Sequence, residues 1–213
     1  MSGPDKQADM TTRTILSVTA AQTVLFALAG WGLWHLSGFE EIAMITFAPW
    51  EVGLGLALAA GLIATGIIII RVFPAYGDWI IRSQAANYPF LKDRLSIGGI
   101  VFLSICAGLG EEVLFRGGLQ TLIAQAAPIW LAIVLAAAVF AAIHLAKPIV
   151  SLLIFLIGVL FGVAYTWSGS LLAVIIGHAV YDVWALWYLQ EGMHRLGVFG
   201  DDTKTSADAA AGD

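Results

Sequence analysis

Six long apolar runs constrain this chain more than any other feature of its sequence. They cover residues 14–36, 51–72, 97–123, 129–146, 149–167 and 170–190. An α-helix needs about 20 apolar residues to cross a bilayer, and these runs reach that length. Hydrophobic residues make up 60% of the chain and charged residues 12%, whereas soluble domains are about 25% charged. The sequence therefore predicts an all-α, polytopic membrane helical bundle of about six transmembrane segments.

The basic residues predict the orientation of this bundle. Nine of the ten lysines and arginines lie before the first segment, after the sixth, or in and beside the second and fourth gaps, and the tenth is Arg116. Cytoplasmic loops carry an excess of Lys and Arg, so both termini are predicted to be cytoplasmic. The short, compact chain favours a prokaryotic cytoplasmic (inner) membrane. Tryptophan concentrates at membrane interfaces, and the outer interface is predicted to carry Trp31, Trp34, Trp50, Trp130 and Trp167.

The composition of the stretches around the apolar runs predicts four parts. Residues 1–13 form a cytoplasmic arm, and 14–96 hold two transmembrane helices and a loop expected along the interface. Residues 97–190 form the core that carries the intramembrane charges, and 191–213 form a polar tail expected to be disordered. The first run resembles a signal peptide, but it continues to Leu36 and is expected to remain as an uncleaved helix.

Charge and cysteine content exclude several classes of function. The net charge is −5 with no basic patch, which argues against nucleic acid as a partner. Cys106 is the only cysteine, so an intrachain disulfide and a multi-cysteine metal site are excluded. The expected partners are membrane lipid and a substrate that can reach the charged residues inside the membrane.

Three apolar runs carry ionisable residues where such residues are costly. By contrast, Glu40 and Glu41 lie in a loop and need no functional explanation. The intramembrane set is Glu111, Glu112, Arg116, His144, His178 and Asp182. Any one of them alone is more often structural, since a lone histidine or aspartate in a transmembrane helix commonly bonds to a neighbouring helix. Three segments that each bring such groups inward indicate function.

The spacing within each run predicts which side chains share a helix face. Glu112 and Arg116 are four residues apart and can pair, while Glu111 lies about 100° around the helix and is free to point elsewhere. His178 and Asp182 are also four residues apart, so that Asp182 can orient the imidazole or both can reach one ligand.

These groups fit a water-activating site in two ways. In one, Glu111 is a general base and His144 and His178 donate hydrogen bonds to an oxyanion. In the other, His144, His178 and Asp182 hold a divalent metal such as zinc, with Glu111 as base. Neither uses a Ser or Cys nucleophile, and the sequence leaves both open.

The three motifs resemble the CPBP family, which comprises the type II CAAX prenyl proteases and their bacteriocin-processing and immunity relatives. The family pattern is E-E-x-x-x-R, F-x-x-x-H and H-x-x-x-N/D. Here it reads "EEVLFR" at 111–116, "FAAIH" at 140–144 and "HAVYD" at 178–182. The resemblance covers about residues 97–190, while the first two segments are generic.

The resemblance implies an intramembrane endopeptidase that hydrolyses a peptide bond with a glutamate-activated water. Glu111 becomes the base, His144 and His178 become oxyanion or metal partners, and Glu112 with Arg116 becomes a structural brace. Asp182 takes the position often held by Asn. The expected substrate is a membrane-associated peptide or protein, lipidated or bearing a leader.

Two other functions stay open at this stage. One is a non-enzymatic immunity or partner-binding protein, and the other is a proton- or cation-coupled carrier, which would more often show a repeat. Depth also poses a question, because His144 lies only three residues before Lys147 whereas Glu111 is expected deep in the membrane. Two explanations are expected to combine: the "AKP" turn at 146–148 is sunk in a polar funnel entered from the cytoplasm, and segment three begins later, near Ser104.

Overall fold

The computed structural model describes residues 11–38 and 45–200, and all regular secondary structure in those ranges is helical. Glu40, Glu41 and most of the predicted N-terminal arm and C-terminal tail lie outside the described residues. Seven helices follow in order: α1 Thr12–Leu36, α2 Pro49–Val72, α3 Pro74–Ser83, α4 Ile97–Ala124, α5 Ile129–Ile143, α6 Pro148–Ser168 and α7 Leu171–Arg195. Five of these (α1, α2, α4, α6 and α7) are long and apolar enough to cross a membrane, which confirms the predicted polytopic bundle.

Helix α5 is shorter than the predicted segment 129–146. It ends at Ile143, with His144 as its C-cap, and Leu145 takes a left-handed conformation with φ of 47°. A helix of this length rises about 22 Å, which is less than the roughly 30 Å apolar core of a bilayer. The helix is therefore too short for a full crossing, and His144 lies at its C-terminal end. Because α4 itself begins at Ile97, the short α5 explains the depth of His144 better than a late start of α4 does.

Helix α4 is not the uniform helix that the sequence predicts. Its first part, Ile97–Glu112, is a regular α-helix, and Val113–Gln120 forms a π-helical segment. Segments of this kind are rare and frequently lie at functional sites. The wider turn starts directly after Glu112, in the middle of the first motif.

The second gap and the end of α7 meet at one end of the bundle, called here the basic face. The gap holds α3 and a single 3₁₀ turn, Pro89–Leu91. The amide of Gln190 bonds both backbone groups of Leu95, with its Oε1 accepting from the N–H at 2.8 Å and its Nε2 donating to the carbonyl at 3.3 Å. His194 Nε2 lies 2.9 Å from the Leu91 carbonyl, and Arg94 pairs with Glu191.

These contacts correct the predicted start of the tail. Helix α7 continues to Arg195, five residues beyond the predicted end of the sixth segment, because its last turns bind the 73–96 segment. Arg195 pairs with Asp78 of α3 at 2.7 Å. Segments predicted to share the cytoplasmic side are therefore in contact with one another.

At the opposite end, Glu51 joins two loops. Its side chain is 1% exposed. Its carboxylate accepts hydrogen bonds from the Ser170 hydroxyl at 2.6 Å, the Ala48 N–H at 2.8 Å, and the hydroxyl and N–H of Thr46 at 2.9 and 3.2 Å. The start of α2 and the turn between α6 and α7 are thus held by one buried carboxylate.

Trp34 lacks the exposure expected of a tryptophan at the outer interface. Trp34 is 4% exposed and packs with Phe161, Leu171 and other core residues, because α1 lies against α4 rather than standing apart in lipid. The other four predicted outer tryptophans are exposed on the bundle surface.

Gly108 allows α4 and α7 to approach closely beside the motifs. A Cβ at this position would lie 2.9 Å from the Ala179 backbone nitrogen and 3.0 Å from the Ile175 carbonyl oxygen. Any larger residue would separate the two backbones. The contact lies one turn from Glu112 and next to His178, and it therefore sets the distance across which the first and third motifs meet.

We expect Glu51→Ala to destabilise the protein by more than about 2 kcal/mol, because hydrogen bonds to a charged group are worth about 1.5–3 kcal/mol each. Equilibrium unfolding in mixed micelles with increasing sodium dodecyl sulfate measures this change. The control is Glu191→Ala, which removes an exposed ion pair and should change stability by less than about 1 kcal/mol. Equal losses in the two variants would contradict the role given to Glu51.

Candidate active site

Glu112 is the centre of a buried charged group. Its Oε1 accepts a hydrogen bond from Arg116 Nη1 at 3.0 Å and lies 2.7 Å from His178 Nδ1. Because a carboxylate accepts, Nδ1 of His178 carries the proton and donates it. Glu112 and Arg116 are 0% and 1% exposed. The predicted Glu112–Arg116 brace is therefore present, and it also holds the histidine of the third motif.

Arg116 links this group to α6. Its Nη2 donates to the Gly158 carbonyl at 2.9 Å, and its guanidinium lies over the rings of Phe140 and Phe161 at 4.7 and 5.7 Å. Aromatic faces attract a desolvated cation by about 2 kcal/mol. The buried charge is thus compensated by one carboxylate, one carbonyl and two rings.

Gln120, about one turn after Arg116 in α4, also donates a hydrogen bond to a backbone carbonyl of α6. Its Nε2 donates to the Gly162 carbonyl at 3.1 Å and to the Thr166 hydroxyl at 3.0 Å. The backbone carbonyls at both ends of the "GVLFG" stretch, residues 158–162, therefore accept hydrogen bonds from α4.

The imidazole of His178 is held on all sides. Phe161 stacks on it at 5.5 Å and Phe140 meets it edge-on at 6.2 Å. Its Nε2 lies 3.4 Å from Asp182 Oδ2 and 3.8 Å from Glu111 Oε2. Since both ring nitrogens face carboxylate oxygens, the ring satisfies them all only when it is doubly protonated.

Glu111 differs from Glu112 in exposure and bonding. Its side chain is 14% exposed, and its contact with His178 is too long for a hydrogen bond. Within residues 11–38 and 45–200 the Glu111 carboxylate has no closer polar partner. Glu112 Oε2 also lacks a partner there but is fully buried. Of the two adjacent glutamates, Glu111 is the one that a water molecule or a substrate can reach.

His144 lies at the end of α5, facing the same region. Its Nδ1 is 2.7 Å from the Phe140 carbonyl and donates to it, and its ring packs edge-on against Phe140 at 4.7 Å. Phe140 thus separates the two motif histidines, and His144 is within electrostatic range of Glu111. With Nδ1–H engaged, a neutral His144 presents a lone pair at Nε2, so that it can donate to an oxyanion only when it is protonated.

The structure brings together five of the predicted residues in direct contact or close approach: Glu111, Glu112, Arg116, His178 and Asp182. His144 joins them through Phe140. In the described part of the chain, no three His, Cys, Asp or Glu side chains are arranged to hold a metal ion. Metal binding by His144, His178 and Asp182 stays a prediction, and the mechanism below is derived without it.

Sequence reasoning missed four residues that contribute to this site. Phe161 stacks on His178, and Gln120 and the carbonyls at Gly158 and Gly162 fix the position of α4. An apolar Phe in an apolar run carries no signal of its role. Gln120, however, follows Arg116 by four residues inside the same run, and that spacing could have placed it on the same face.

We expect Arg116→Met to destabilise the protein by about 3–5 kcal/mol, because it leaves the Glu112 carboxylate buried without its cation. The double variant Glu112→Leu with Arg116→Met removes both charges and should recover much of this loss. Unfolding in mixed micelles measures both. A change below about 1 kcal/mol in Arg116→Met would contradict the pairing.

Comparison with known proteins finds a match over the part of the chain that carries the three motifs. Residues 93–184 match the family model described as type II CAAX prenyl endopeptidase Rce1-like. A Bacillus subtilis (strain 168) protein, named uncharacterized protein YpbD, is 27% identical over 170 residues, which cover 75% of this chain and 80% of the relative. No solved structure matches the chain. All three motifs lie within the matched segment, and the resemblance predicted from them, to the family of type II CAAX prenyl endopeptidases, is confirmed.

Proposed function

We propose that this protein is an intramembrane endopeptidase that hydrolyses a peptide bond of a membrane-associated substrate with a water activated by Glu111. The family match supports a protease-like role in general terms. The observation that carries the finer proposal is the carboxylate of Glu111. It is partly exposed, lacks a hydrogen-bond partner in the described residues, and lies 3.8 Å from a fixed imidazole.

In this mechanism Glu111 accepts a proton from water while the water oxygen attacks the carbonyl carbon of the scissile bond. The carbonyl oxygen becomes an oxyanion, and the positive charge on His178 stabilises it. The tetrahedral intermediate then collapses, and Glu111 returns its proton to the departing nitrogen as the C–N bond breaks. The products are one carboxyl terminus and one amine, so no redox partner or nucleophilic side chain is required.

The buried residues have separate roles in this proposal. Glu112 fixes the tautomer and orientation of His178 through its 2.7 Å contact at Nδ1. Arg116 balances the charge of Glu112 in a region where little water can do so. Asp182 lies beside Nε2 of His178 and keeps the ring protonated at the nitrogen that faces the substrate. His144 positions the attacking water through Nε2.

The substrate class follows from the position of the site. Because Glu111 and His144 lie at membrane depth, the substrate must bring its peptide bond to the membrane. A peptide anchored by a lipid or by an apolar segment can do this, and a soluble folded protein cannot. We therefore propose a lipidated or leader-bearing peptide as substrate.

We expect Glu111→Gln to lower kcat by at least about 100-fold, since a general base contributes about 10²–10⁴-fold. Glutamine keeps the size of the side chain but cannot take a proton. The measurement is cleavage of a fluorescence-quenched peptide library by protein in detergent, with and without a strong chelator. Glu191→Gln is the matched control, because it removes an exposed acid elsewhere on the same protein.

Each result separates the competing functions. Cleavage that Glu111→Gln abolishes and chelator leaves intact would support the metal-free mechanism. Loss in chelator that zinc restores would favour a metal held by His144, His178 and Asp182. Cleavage retained by Glu111→Gln would contradict the role of this residue, and no cleavage by either protein would favour the immunity or partner-binding function.

A further inference from the structure

The basic-face segment carries Tyr88 toward the catalytic groups. Tyr88 precedes the 3₁₀ turn and packs, half-buried, into the cluster that contains Leu103 of α4, with Val183 of α7 packed against the same cluster. Val183 directly follows Asp182. The bonds from Gln190 to Leu95 and from His194 to Leu91 hold this segment on α7. Tyr88 is therefore fixed at the junction of the two helices that bear the first and third motifs.

Two of the catalytic carboxylates are electrostatic neighbours of Tyr88. Burial and the nearby charges of Asp182 and Glu111 raise the pKa of the Tyr88 phenol to about 12. As in an ordinary tyrosine, the hydroxyl is protonated at neutral pH and can donate a hydrogen bond. No group in the described residues accepts that bond, and Glu111 likewise has no hydrogen-bond partner there.

Besides Nε2–H of His178, the two motif histidines offer no free donor to a substrate carbonyl. Nδ1–H of His144 is used by the Phe140 carbonyl, and Nδ1–H of His178 is used by Glu112. Nε2 of His178 faces Asp182 and Glu111, which compete with a substrate oxygen for its proton. An oxyanion surrounded by two carboxylates needs a further donor, and the phenol of Tyr88 is an uncharged one.

We propose that Tyr88 is a further catalytic residue, whose phenol O–H donates a hydrogen bond to the carbonyl oxygen of the scissile peptide bond and to the oxyanion formed from it. This inference rests on the proposed endopeptidase function. It assigns to the 73–96 segment, which the sequence predicts only as an interfacial loop, one of the groups of the active site.

The test is Tyr88→Phe, which removes the hydroxyl and keeps the ring that packs on the cluster. Loss of one oxyanion donor lowers kcat by about 10²–10³-fold. We expect a fall of about 100-fold in kcat with KM changed less than about 3-fold, because the bond strengthens mainly in the transition state. The melting temperature in detergent should stay that of the wild type.

Tyr188→Phe is the matched control. Tyr188 packs on the same cluster, but its electrostatic neighbours are Arg195 and Asp78 instead of the catalytic carboxylates. We expect its kcat to change less than about 2-fold, since its hydroxyl is remote from the oxyanion. Tyr181→Phe provides a second comparison, because Tyr181 also lies near Asp182 and Tyr88.

The outcomes separate this inference from the proposed function. If wild type cleaves, Glu111→Gln does not, and Tyr88→Phe retains full kcat, the inference is overturned and the protease function stands. A loss in KM alone, an equal loss in Tyr188→Phe, or a loss that appears in Tyr181→Phe instead would also overturn it. If wild type cleaves no peptide, the proposed function fails and the role of Tyr88 fails with it.

Discussion

The fold and the site both depend on one buried carboxylate, that of Glu112. Its Oε1 binds the guanidinium of Arg116 and the Nδ1 of His178, and thereby joins two parts of α4 to α7. A charge in this position is unfavourable unless it is paired and hydrogen-bonded. Arg116 supplies the pairing and extends it to the Gly158 carbonyl and to two aromatic rings. Removing one member would leave the others buried without compensation.

The irregular parts of the bundle help to place the ionisable groups of the three motifs. The π-helical segment starts after Glu112 and turns Arg116 and Gln120 toward α6. Helix α5 stops early, so that His144 ends inside the bundle instead of at its border. Non-helical backbone at membrane depth needs partners within the protein, and the bond from His144 to the Phe140 carbonyl is one of them. The same backbone irregularities therefore serve the fold and the geometry of the site.

Two adjacent glutamates have different environments although the sequence presents them as a pair. Glu112 is enclosed by its partners, and Glu111 faces the space bordered by His178 and Asp182. A rotation of about 100° between neighbouring helical residues is enough to produce this separation. One carboxylate holds neighbouring elements together, while the other is partly exposed and has no hydrogen-bond partner among the described residues. Arg116 hydrogen-bonds Glu112, and the cation that stabilises this carboxylate makes no hydrogen bond to its neighbour Glu111.

The sequence by itself determined the helical membrane class, the three motifs, and the pairing of Glu112 with Arg116, because hydrophobic length and helical spacing are local properties. It also identified His144, His178 and Asp182 as inward groups. Only the tertiary structure decided that Glu112 holds His178, that Phe161 stacks on the same ring, that Trp34 is buried, and that α5 ends at Ile143. Each of these depends on contacts between segments far apart in the chain. An apolar run looks the same whether its side chains face lipid or a neighbouring helix, and the physical difference arises only when the helices pack.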